Sequence, residues 1–171
     1  MSIAPDYAEP FEVWRVWRVV RHAGAYWLGS IVQETIWPVR EAFVAECLRG
    51  RRLLTRLRSS RHLAPEAGCE CGIYGTSLEG VAPYLADAPC RGIARVVGRV
   101  ALWGWVVECE RGFRAACAYP LKLYVPVDAG EPWCVDLEDV AFGLSRYGVP
   151  IEPLASRAAE AQSVLAERPA A

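Results

Sequence analysis

Apolar and polar residues alternate most cleanly between Gly92 and Val125. Val96, Val100, Leu102 and Val106 fall on one face of a pleated strand, and Glu110-Arg111-Gly112 reads as a turn. Phe113, Ala115, Cys117, Tyr119, Leu121, Leu123 and Val125 then keep a period of two through the next run. The pattern predicts an antiparallel hairpin with Phe113, Cys117, Leu121 and Leu123 turned to the core. Gly98 and Gly104 inside its first strand predict a bulge, a bend or a close backbone approach, devices by which a small sheet curls toward a barrel.

The segment Phe11 to Arg21 (FEVWRVWRVVR) has a polar residue every three positions, as a helix would, yet its apolar positions are Val, Trp and Phe. Those side chains favour strands, and we read the segment as one. His22 to Ala25 predicts a turn and Tyr26 to Trp37 a second strand, stopped by Pro38. Arg40 to Cys47 is compatible with helix or strand. Thr76-Ser77-Leu78-Glu79 has the form of a capping box and predicts a short helix, with Pro83 limiting it beyond the first turn. Asp136 to Gly148 predicts a longer one: Asp136 as N-cap, an apolar stripe of Leu137, Val140, Ala141, Leu144 and Tyr147, then Gly148 and Pro150 as the stop.

Together these elements predict an α+β fold, mostly antiparallel β, as a bent sheet or small partly open barrel with one packed helix. Residues 11–154 form a single globular domain, with an inserted lobe at 48–75. Residues 1–10 are expected to be a flexible N-terminus and 155–171 a fraying helix or disordered tail.

At 171 residues and 53% apolar, the chain supports one hydrophobic core and is not disordered throughout. A net charge of -1 supplies no global attraction to nucleic acid or anionic lipid. No apolar run approaches the roughly 18 residues of a membrane span, and the first ten residues lack the apolar stretch of a secretory signal. The expectation is a cytoplasmic protein with reduced thiols.

All but one of the 19 basic residues are Arg, Lys122 being the exception. This is the mark of a coding bias, so isolated arginines carry no functional weight. Arg49, Arg51, Arg52, Arg56, Arg58 and Arg61 still make one local patch. It is either a solvated connector or a weak, salt-sensitive polyanion site, without aromatic residues for base stacking. Among the seven Trp, Trp14, Trp17, Trp103 and Trp105 are either core residues or the lining of an apolar pocket.

The chemical lead is Cys69-x-Cys71, two thiolates that can grip one ion from a tight turn, with Gly72 permitting unusual backbone angles. His62 and Cys47 complete a Cys3His set that suits zinc and could also ligate an iron-sulfur cluster. Between Ser59 and Cys71 the only sizeable apolar anchor is Leu63. An ion would therefore supply the ordering energy that packing cannot. A redox pair is the weaker reading, because Cys-x-Cys closes a strained ring. Cys117 reads as a core thiol, and Cys109 lies between Glu108 and Glu110, which do not activate it.

The two histidines, His22 and His62, sit in no nucleophile signature, and no glycine loop matches a phosphate cradle. The expected function is a non-enzymatic binding or adaptor module with a protein partner and a metal-braced lobe. The alternatives are a small thiol- or metal-dependent enzyme built on the same cluster, and a nucleic-acid-binding domain using the arginine loop.

The run CECGIYG at Cys69 to Gly75, followed by GRVALWGWVVECERGFRAACAYPLKLYV at Gly98 to Val125, resembles an uncharacterised family of small bacterial proteins. Its members read Cys-x-Cys-Gly-Ile-Tyr, then Val-Ala-Leu-Trp-Gly-x-Val-Val-Glu, then Arg-Ala and Ala-Tyr-Pro. A looser echo runs through Trp37-Pro38 to Cys47 and through Tyr147-Gly148-Val149-Pro150. The resemblance implies a small compact bacterial domain and lends weight to the cysteine pair; it supplies no reaction.

Overall fold

A computed structural model describes residues 9–47, 62–86, 94–126 and 136–154. The arginine run from Arg49 to Arg61, Cys90, Cys134, and the stretches expected to be a flexible start and a terminal tail lie outside the described residues, apart from Glu9 and Pro10. Two long strands, β5 (Ala94–Cys109) and β6 (Gly112–Pro126), form the expected hairpin around a turn at Glu110 and Arg111. β1 (Phe11–His22) pairs antiparallel with β5 and, on its other edge, with β2 (Ala25–Gly29). The β1–β2 turn places Ala23 and Gly24 at φ 49° and 77°, the paired positive angles of a tight two-residue hairpin.

The outer edge of β6 carries three short strands in succession. β4 (Ile73–Gly75) pairs at Phe113 to Ala115, β3 (Phe43–Val44) at Cys117 and Ala118, and the parallel β7 (Ile151–Leu154) at Leu123 to Pro126. Immediately after β4 the sheet returns to its start. Trp14 N–H donates to the Thr76 carbonyl and Thr76 N–H to the Trp14 carbonyl, both at 2.8 Å. The result is a strongly curled, mostly antiparallel sheet, a partly open barrel fastened at one place. Arg15 fills the seam beside that fastening: its guanidinium lies 5.1 Å from the centre of the Trp37 ring and donates to the Tyr74 carbonyl and, at 3.4 Å, to Ser30 Oγ. Burial lowers its pKa to about 10, which leaves it charged at neutral pH.

Both glycines of β5 serve the curvature. Gly104, at φ +73°, sits where the β5–β6 register slips between Trp103 and Val106. At Gly98 a Cβ would stand 2.1 Å from the Lys122 carbonyl oxygen, so the two strands approach more closely than any side chain allows. Gly98→Ala should therefore destabilise the protein by about 1–3 kcal/mol through overpacking against backbone, read from the urea midpoint. A midpoint equal to that of the parent would show that the hairpin can spread at this point.

The core lies on the concave face. Trp17 meets Trp37 edge-on at 5.3 Å, and Trp37 stacks on Phe43 at 4.9 Å. Helix α2 (Leu137–Leu144), capped as expected by Asp136 accepting from Glu138 N–H at 2.8 Å, continues as a 3-10 turn through Tyr147. It presses Val140, Leu144 and Tyr147 onto this core. The Tyr147 hydroxyl donates to the Trp37 carbonyl at 2.8 Å and accepts from Leu28 N–H at 3.0 Å, tying α2 to the first hairpin. A smaller apolar cluster of Val16, Val81, Val97, Tyr124 and Leu154 covers the opposite face.

Several expectations are corrected. The strand expected over Tyr26 to Trp37 stops at Gly29, because Ser30 turns the chain aside. The Ser30 hydroxyl accepts from Thr35 Oγ1 at 2.7 Å and from the buried Trp37 indole at 3.2 Å, and the chain returns through a bridge between Gly29 and Ile36. Thr76 does not cap a helix: its backbone pairs with Trp14, and the helical turn that follows has Leu78 at its N-cap position with no side-chain cap. Gly80 N–H instead reaches Ser77 Oγ at 3.4 Å, a 3-10 turn runs over Glu79–Val81, and the short α1 (Ala82–Ala86) follows with Pro83 in its first turn. Cys117 and Leu121 do not face the core. The register slips shift the alternation, so that Ala115, Ala118, Leu123 and Val125 are buried in the core cluster, while Cys117 pairs with Val44 and Trp103 on the outer side.

Candidate metal centre

The segment leaving β3 and the loop entering β4 are held side by side because both strands pair with β6. Ala45 N–H donates to the Ala116 carbonyl at 2.7 Å, which aims the chain toward Cys47. Cys69 and Cys71 stand just before β4, in a loop described from His62 onward. In this loop Cys69 N–H donates to the Glu66 carbonyl at 3.0 Å and Glu66 N–H points to Cys71 Sγ at 3.4 Å. Gly72 adopts φ +118°, and a Cβ there would lie 2.9 Å from Pro65 Cβ, so the turn needs glycine on both counts.

The ligand atoms of Cys47, His62, Cys69 and Cys71 all lie within 4.8 Å of one another. Cys47 and Cys69 sulfurs are 3.8 Å apart, and His62 Nε2 is 3.3 Å from Cys71 Sγ. Zinc bonds of about 2.3 Å to sulfur and 2.0–2.1 Å to nitrogen at the tetrahedral angle imply separations of about 3.8 Å and 3.6 Å. The four residues thus lie at metal-binding distance, with Cys69 buried and the other three partly covered.

Electrostatics within the group fit the same picture. For Cys69 burial works against ionisation, but the Cys71 N–H and the neighbouring Cys71, Cys47 and His62 side chains outweigh it and bring the thiol down to about 7. Cys71 is pushed up to about 11, first by burial and then by the thiolate beside it. Crowded sulfurs oppose one another's ionisation, and a divalent cation held among them would relieve that opposition.

Arg114 is part of this centre and carries no signal in the sequence, where the alternation of β6 simply places it opposite Phe113 and Ala115. It is 6% exposed. Its Nη1 donates to the carbonyls of Cys71 at 2.9 Å, Glu66 at 3.4 Å and Cys69, while Nε donates to Cys109 Sγ at 3.0 Å. Burial lowers its pKa, but the Cys109 sulfur more than offsets that and holds the guanidinium above its ordinary value.

The four tryptophans do not meet in one pocket. Trp17 is wholly inside the core, Trp14 stacks on Tyr124 at 5.8 Å on the opposite face, and Trp105 is 48% exposed. Trp103 alone of the four borders an open groove of about 470 Å³, shared with Arg40, Glu41, Ala42, Tyr119, Tyr147 and Gly148. Among the described residues no helix is long and apolar enough to cross a membrane. Fold and site together define a partly open β-barrel with a Cys3His lobe. Comparison with protein-family models, curated proteins and solved structures gives no match.

Proposed function

We propose that the protein is a cytoplasmic, non-enzymatic binding or adaptor module of the small bacterial type its motifs resemble, with a lobe braced by zinc on Cys47, His62, Cys69 and Cys71. The observation that carries this reading is the convergence of four ligand atoms, from separate points in the chain, within 4.8 Å. Four protein ligands complete a tetrahedron and leave no open position for substrate or water, as structural rather than catalytic zinc requires. The close S···S and N···S spacing matches one ion better than an iron-sulfur cluster, whose ligands stand off a larger body. The lobe then presents a fixed surface to a protein partner.

Protein purified without chelator should contain about one equivalent of zinc per chain, and cobalt should replace it with the intense visible bands of tetrahedral thiolate ligation. Less than about a tenth of an equivalent of any transition metal would overturn the reading. A brown protein with iron and inorganic sulfide would replace zinc by a cluster.

A further inference from the structure

We propose that Arg114 is the positioning residue of the metal centre. It shapes the Glu66–Cys71 backbone before an ion arrives and supplies the charge that balances the loaded site. The inference rests on the zinc reading above and goes beyond the four ligands.

Two observations carry it. First, one guanidinium nitrogen gathers the carbonyls of Glu66, Cys69 and Cys71, the backbone that aims both loop thiols, and it does so from a paired strand of the barrel. The fork is held from behind by Cys109 Sγ at 3.0 Å and lies 5.8 Å from the centre of the Tyr74 ring, Tyr74 being its cross-strand partner. The carbonyls bond Nη1 and Cys109 Sγ bonds Nε, two nitrogens of one rigid fork; a lysine ammonium, with its donors on a single nitrogen, cannot serve both sides together. Second, Arg114 is a buried cation with no carboxylate ion pair among the described residues. Three thiolates and a neutral imidazole around a divalent ion leave a net charge of -1, and a buried charge of either sign is costly alone. Placed together, the centre and Arg114 neutralise one another, as groups around metal ligands commonly do.

The test compares the parent protein with Arg114→Met and Arg114→Lys. Zinc affinity is measured by competition with a chromophoric chelator, and amide hydrogen exchange across residues 62–76 is followed in metal-free protein. Arg114→Met should weaken zinc binding about 10- to 100-fold and speed exchange at Glu66 to Cys71, with exchange in β1 and β5 unchanged. Arg114→Lys, which keeps the charge and loses the fork, should recover part of the affinity and little of the protection. Zinc affinity within about twofold of the parent in Arg114→Met would overturn the proposal. Equal affinity of the Lys and Met variants would overturn its charge component.

If the parent binds neither zinc nor cobalt, the metal reading falls separately. Exchange in the metal-free proteins then decides whether Arg114 shapes the loop: faster exchange in Arg114→Met supports it, and unchanged exchange overturns it. Should Arg114→Met fail to fold, Cys109→Ala removes only the acceptor behind the fork. It should weaken zinc binding about tenfold, and no change would count against the proposal.

Discussion

Replacing Cys69 or Cys71 by Ser will release the ion proposed for this centre and loosen residues 62–76 while the β5–β6 hairpin stays folded, whereas replacing Cys117 will release nothing. The difference follows from position. Cys69 and Cys71 belong to the Cys3His group, and few large side chains in their loop are buried; Leu63 is 92% exposed. Cys117 sits on the outer side of β6 opposite Trp103, and burial raises its pKa. Ordering each loop residue costs about 1–2 kcal/mol, while a structural zinc contributes about 10–16 kcal/mol of apparent binding energy at neutral pH. Losing one thiolate removes a large share of that energy, because a serine hydroxyl does not ionise in its place.

Acid should act in the same direction. At the proposed zinc site protons would compete with the ion for the thiolates, so occupancy should fall as pH drops, and the depressed Cys69, near 7, helps retain a thiolate at neutral pH. Metal content of each variant, zinc release followed with an indicator from neutral pH downward, and amide exchange of the lobe check these points. Full zinc retention in Cys69→Ser would sink the assignment.

Trp17→Ala will cost about 3–5 kcal/mol, a large share of the 5–15 kcal/mol typical of a domain. Trp17 is fully buried on β1, edge-on to Trp37, and its removal opens a cavity between β1 and the chain segment after β2. Its indole nitrogen has no hydrogen-bond partner among the described residues, so Trp17→Phe sheds an unsatisfied donor along with some volume and should cost distinctly less. Trp105→Ala, on the exposed rim, should stay within about 0.5 kcal/mol of the parent. Urea unfolding of the three variants ranks them, and a Trp17→Ala cost below about 1 kcal/mol would contradict the packing described.

What could be read from the chain followed from restrictions that act locally. Asp136, Gly148 and the stripe between them specify a helix because cap, stop and period agree. Cys47, His62, Cys69 and Cys71 were legible as a set because few residue types ligate soft metals. Register was harder to see. Gly104 announced a bulge, but Cys117 leaves the core face at that slip and Leu121 at a second one, between Arg99 and Val100, and no local rule assigns either shift to one residue. Ser30 ends β2 through hydrogen bonds to Thr35 and Trp37, a matter of loop closure rather than propensity. Arg114 stayed hidden because an arginine on the outward side of a strand looks solvated until the lobe is folded over it.

The link between Tyr147 and Leu28 joins residues 119 positions apart. During synthesis at about 5–20 residues per second, the β1–β2 hairpin leaves the ribosome roughly 6–24 s before the tyrosine that completes its burial. For that interval Trp17 and Trp37 have no α2 to cover them, and the nascent chain presents an aromatic, β-prone surface to whatever is near. The cell must keep that surface from pairing with other chains until α2 is made.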